Sequence, residues 1–188
     1  MSRISTYPID TVVNTSDFLI GTDFDNENIT KNYTIASIIS LATSGGYINA
    51  AVAVDATTVT PIAEVDTFYS LEGTLVLSVS KLWAVGAGTD VNKIIYSGTA
   101  SQVTNIMSTV NITGTINNVI KIALFKNTIE IAGTRQTIRI SSAAVPASVC
   151  LQTIDTVLAG DVISVKVMNI SLSSDVTATH YNISATSV

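Results

Sequence analysis

The chain has 188 residues, nine Lys+Arg against fourteen Asp+Glu, and a formal net charge of −5. Charged residues are only 12% of it, about half the ~25% of an ordinary soluble domain, beside 47% hydrophobic residues. This excludes a basic nucleic-acid footprint, and no apolar run reaches the ~18 residues of a membrane-spanning helix.

The N-terminus, Met1-Ser2-Arg3-Ile4-Ser5-Thr6-Tyr7-Pro8, lacks the apolar core of a secretory signal, so synthesis in a cytoplasm is expected. Asp17-Phe18-Leu19-Ile20-Gly21-Thr22 reads as a strand, 23–28 as a turn-rich loop, and Ile29-Thr30-Lys31-Asn32-Tyr33-Thr34 as the returning strand. The period then changes from 2 to 3.6. Ile35, Ile38, Ile39 and Ala42 share one helix face, with Thr34 as N-cap and Gly45-Gly46 as the stop. A hairpin and a short helix bury too little surface to stand alone, so 1–44 should be a module that docks onto a partner. Phe18, Ile20 and Tyr33 add apolar surface beside the helix stripe.

Residues 45–64 read as a connector, without heptads or a Gly-X-Y repeat, so no long shaft is expected. The remainder, 65–188, reads as one β domain. Its candidate strands are 74–79, 82–85, 93–96, 108–112, 119–126, 128–131, 136–141, 151–153, 162–169 and 181–186, with Lys126-Asn127 in a tight turn. Thr, Ser and Asn replace Lys and Glu as polar partners of Val and Ile, which favours strands over helices. In 162–169, Ile163, Val165 and Val167 alternate with Ser164 and Lys166. In 181–186, Tyr181, Ile183 and Ala185 alternate with Asn182 and Ser184. Each pattern gives a strand with one buried face.

The ending, Gly160-Asp161, an alternating strand, a Ser/Asp-rich loop and a last strand, resembles the closing strands of the tumour-necrosis-factor/C1q jelly roll. That resemblance implies a mainly β, jelly-roll (TNF-like) sandwich working as a homotrimer. The N-terminal pattern Asp17-Phe18-Leu19-Ile20-Gly21-Thr22-Asp23, then Thr30-Lys31-Asn32-Tyr33-Thr34-Ile35, resembles a segment of many bacteriophage virion proteins, where it is the attachment end. Together they imply a phage structural protein at the virion surface: a short trimeric head fibre or capsid decoration protein. The anchor residues would be Phe18, Ile20, Tyr33, Ile35, Ile38, Ile39 and Ala42, and the partners a major capsid, portal/neck or tail protein. The alternative is the receptor-binding tip of a tail or neck fibre, gripping host surface glycan or protein.

Low charge also suits large subunit interfaces, because no ions need be desolvated. Ala123 and Phe125 put apolar surface on the second face of 119–126, so Phe125 and Tyr181 are the candidates for contacts near a threefold axis. Neither an enzyme nor a cofactor is expected. Asp23, Asp25 and Glu27 alternate in one loop, but Asn28 stands where an EF-hand needs Gly. Gly86-Ala87-Gly88 lacks the Lys-Ser/Thr of a phosphate loop, and no serine sits in a Gly-x-Ser-x-Gly elbow. His180, the only histidine, reads as a polar residue on the outer face of the last strand. The only cysteine, Cys150, reads as a buried inert thiol between Val149 and Leu151.

Overall fold

The computed structural model describes residues 18–23, 29–35, 45–52 and 58–188. The chain divides into two compact units, 1–44 and 45–188. In the first, β1 (Phe18–Asp23) and β2 (Ile29–Thr34) pair antiparallel, Phe18 opposite Thr34 and Asp23 opposite Ile29. The expected helix stripe at Ile38, Ile39 and Ala42 lies outside the described residues, as do Asp25 and Glu27.

The second unit is a sandwich of two antiparallel sheets. The six-stranded sheet runs β13 (Ala147–Val157), β9 (Gln102–Thr113), β15 (Val176–Ser187), β3 (Tyr47–Val52) and β6 (Leu75–Lys81), with β4 (Thr58–Thr60) beside β15. The seven-stranded sheet runs β11 (Ile129–Glu130), β10 (Val119–Lys126), β14 (Val162–Asn169), β8 (Lys93–Tyr96) and β7 (Trp83–Val85). In it β12 (Gln136–Arg139) joins β10, and β5 (Tyr69–Ser70) joins β14. From β9 onward the chain passes repeatedly between the sheets: β9 to β10, β12 to β13, β13 to β14, β14 to β15. This is the connectivity of a jelly roll, two sheets wound together so that consecutive strands seldom share one.

The core lies between the sheets. Ile120, Ile122 and Leu124 of β10 and Ile163, Val165 and Val167 of β14 line one wall. Ile106, Val110 and Ile112 of β9 and Tyr181, Ile183 and Ala185 of β15 line the other. The alternation read in 162–169 and 181–186 therefore has the inward face right, and both strands are central in their sheets. The turn after Lys126 also forms, with Lys126 opposite Ile129 and Asn127 at φ +57°. Asn127 closes it onto the next turn: its Nδ2 donates to Asp161 Oδ1 at 2.9 Å, and its Oδ1 accepts from the Val162 amide at 3.0 Å.

The connector reading of 45–64 is overturned. Residues 47–52 are β3, inserted between β15 and β6, and they contribute Ile48, Ala50 and Val52 to the core. Thr58–Thr60 is a further strand on β15. The head therefore begins near Gly45. Small alanines on both faces of 47–52 blur the alternation that marks a strand. β9 and β13 are also far longer than 108–112 and 151–153, because their inward positions include Thr104 and Ser108, and Thr153 and Asp155.

Candidate functional site

The two expected axis residues do not lie at a surface available for subunit contact. Tyr181 is wholly buried inside the sandwich, and its hydroxyl donates toward the Gly73 carbonyl at 3.2 Å and the Leu71 carbonyl at 3.4 Å. Burial, with the Glu72 carboxylate next in effect, pushes its ionisation well above the usual tyrosine range. The register of β15 explains this: Tyr181 is in phase with Ile183 and Ala185, which face the other sheet. Phe125 does point outward from the seven-stranded sheet, but it is covered. Phe68 meets its ring edge-on at 5.0 Å, and Lys166 Nζ lies 4.4 Å from its centroid. Arg135 in turn lies 5.5 Å over the Phe68 ring and pairs with Glu130. Burial, then the charge of Lys93, holds Lys166 below the usual lysine value. Of the anchor candidates, Tyr33 and Ile35 are half-buried; Phe18 and Ile20 are in β1.

The outer face of the six-stranded sheet has a different character. One row across it reads Gln152, Met107, Ser184, Asn49, Val79, and the next reads Ile154, Asn105, Thr186, Tyr47, Lys81. Further along, Cys150 lies opposite Thr109, and Ser148, Asn111 and His180 form another row. Among the described residues, Lys81 at the margin is the only Lys, Arg, Asp or Glu on this face. Val76, Val79, Val103, Met107 and Ile154 are all exposed on it. Asn111 Oδ1 and His180 Nδ1, on residues facing each other across β9 and β15, are buried with no hydrogen-bond partner among the described residues. Orphaned buried polar atoms of this kind cost ~1–3 kcal/mol each until a partner reaches them.

Cys150 belongs to this outer face and is exposed, not buried. Its neighbours Val149 and Leu151 point inward, so a period of two sends the thiol outward. His180 is on the outer face, as read. The signal for the face was available in the sequence: β9 and β15 have Asn, Thr and Ser at outward positions where an exposed sheet would have Lys and Glu.

Beside the free edge of β13 a groove of about 390 Å³ is lined by Ile129, Ile131, Ala132 and Ile154, with the Lys126–Asp155 ion pair (2.7 Å) on its wall. Among the described residues no three His, Cys, Asp or Glu side chains gather to hold a metal ion. No helix there is long and apolar enough to cross a membrane.

No family model matches the chain, and no curated protein does. Among solved structures it is similar to murine APRIL at pH 8.5, at 9% identity, 77% of this chain, 99% of that chain and a TM-score of 0.48. It is also similar to Eiger TNF from S. frugiperda, at 12% identity, 76% of this chain, 92% of that chain and a TM-score of 0.45. The PRD1 vertex protein P5 is a third, at 14% identity, 76% of this chain, 96% of that chain and a TM-score of 0.42. The class of protein is set by strand order and the sheet pairing above: a jelly-roll β-sandwich.

Proposed function

We propose that this chain is a structural protein of a bacteriophage virion, a short trimeric head fibre or capsid decoration protein. Residues 1–44 attach it to the capsid, portal/neck or tail, and the jelly roll is displayed outward. The support comes from the N-terminal sequence pattern, which resembles virion-attachment segments, in the same chain as a jelly-roll head.

The observation that carries the assembly is the outer face of the six-stranded sheet. A sheet face crossed by row after row of Asn, Thr, Ser, Val and Met can be covered by copies of itself without desolvating an ion. Asn111 and His180 form a row of the same face toward one end of it. Ser184, midway across the row from Gln152 to Val79, lies near the middle of that interface.

Sedimentation equilibrium of the intact protein at micromolar concentration should return three chains. Ser184→Lys places a like charge in every copy at the interface and should shift the protein to monomer with unchanged far-UV dichroism. A wild-type monomer, or a Ser184→Lys trimer of undiminished stability, rules out this interface. Immunogold labelling of virions tests the location: gold on capsid vertices or faces is expected, and unlabelled virions would remove the structural role.

A further inference from the structure

The outer face of the seven-stranded sheet carries a charge pattern that structural assembly does not use. Arg139 on β12 lies opposite Val119 of β10, and Lys121 is two residues further along β10. Lys121 is opposite Met168 of β14, and Lys166 is two residues back along β14, opposite Ala123. Lys166 is two residues from Ser164, which lies opposite Lys93 of β8. Each step moves one strand across and two residues along. Strand spacing of ~4.8 Å and a rise of ~3.4 Å per residue put successive Cα atoms ~8 Å apart, so the four cations form a diagonal file ~25 Å long.

Of these four, Lys93 pairs with Asp90 at 2.5 Å, while Arg139, Lys121 and Lys166 make no ion pair among the described residues. Three cations without counterions, in a protein of net charge −5, lie on one line of one face. Each lysine also has a hydroxyl residue opposite it on a neighbouring strand: Thr137 for Lys121, Ser70 for Lys166, Ser164 for Lys93. The Ser164 hydroxyl is buried, so Thr137 and Ser70 are the two within reach of a ligand.

We infer that this diagonal is a binding track for a linear acidic polysaccharide, its carboxylates or sulfates meeting the cations and its hydroxyls meeting Thr137 and Ser70. A file of evenly spaced charges suits an extended polymer with a regular charge repeat. Single-stranded nucleic acid fits less well, because base stacking needs open aromatic faces. Here Phe68 and Phe125 are already covered by Arg135 and Lys166. The inference rests on the assembly above only in leaving this face outward, away from the other copies.

Fluorescein-labelled chondroitin sulfate, titrated with the full chain and read by anisotropy, tests it, with neutral dextran as control. Wild type should bind the acidic polymer and ignore the neutral one. Lys121→Gln/Lys166→Gln should weaken binding at least tenfold. It should also reduce the slope of log K against log salt by roughly one to two, at ~0.7–0.9 per lost ionic contact. Arg139→Gln/Lys121→Gln, which keeps the Lys166–Phe125 contact, should weaken it comparably and covers the case in which the first variant misfolds. Lys126→Gln, off the file and paired with Asp155, should bind as wild type does. The track is disproved by wild type that fails to bind or by on-file variants within twofold of wild type. Equal loss on Lys126→Gln, or tighter binding of a single-stranded oligodeoxynucleotide of matched charge, would disprove it as well. Sedimentation in the same buffer separates the two readings: a monomer that binds the polymer sinks the trimer alone, and a trimer that does not bind sinks the track alone.

Discussion

At Tyr181 a phenol sits in the middle of the sandwich, its ring packed among aliphatics and its hydroxyl donating to the backbone between Leu71 and Gly73. Gly73 makes room for it: at φ +137°, a Cβ there would come within 2.9 Å of Val52 Cγ2 and 3.1 Å of Tyr181 Cε1. Tyr181→Phe keeps the ring but takes the donor from the Gly73 carbonyl, while Leu71 O still accepts from Asn92 Nδ2 at 3.0 Å, a loss of ~1–2 kcal/mol. The pH dependence follows from its raised ionisation. The unfolded chain releases this proton near the ordinary value of ~10 while the folded chain holds it, so the stabilisation is full below pH ~10 and declines as pH rises beyond it. Urea midpoints between pH 8 and 11 should therefore fall more steeply for wild type than for Tyr181→Phe. Parallel curves would mean the hydroxyl is not sequestered. Val165→Asp, with an unpaired carboxylate at a site 1% exposed, should cost ~3–5 kcal/mol and leave no soluble head. Soluble wild-type yield would show the strand face inverted.

β10, β14 and β8 were legible to the residue, because apolar side chains fill the inward positions of each, Asn169 at the end of β14 apart. β9 and β13 were legible only in part. Inward Thr104 and Ser108, with outward Val103 and Met107, reverse the expected pattern for half of β9. Outward Ile154 and inward Asp155 do the same at the end of β13. β3 was missed because Ala50 and Ala51 carry the same hydropathy on opposite faces. The same limit hid the candidate site, since polarity shows which residues face outward but not what will cover them. Two truncations read the boundary directly. Removing 1–44 should leave a soluble head with a single cooperative urea transition. Removing 1–64 deletes β3 and β4, exposes the flank of β15 and should give insoluble protein. A folded 65–188 fragment would restore the connector reading.

The whole sandwich has two unlike outer faces. The six-stranded sheet is nearly free of charge, whereas the seven-stranded sheet has Lys93, Lys121, Lys166 and Arg139 outward. If copies assemble through the uncharged face, Cys150 lies on it and is shielded in the assembly. Its thiol should then react slowly with a maleimide in wild type and at least tenfold faster in the Ser184→Lys monomer. Equal rates would place β13 outside the interface.

β15 has a consequence for how the protein is made. It lies between β9 and β3 in the middle of its sheet, yet it is translated after every other strand of the head. Until it leaves the ribosome, β3 and β9 have no common neighbour, and their apolar faces wait uncovered. The head therefore cannot accumulate in stages as it is synthesised; it closes once, from the tail end. Nascent chains stalled with Val176 onward still in the exit tunnel should be cut freely by protease, and those carried past Ser187 by an added C-terminal linker long enough to span the tunnel should resist it.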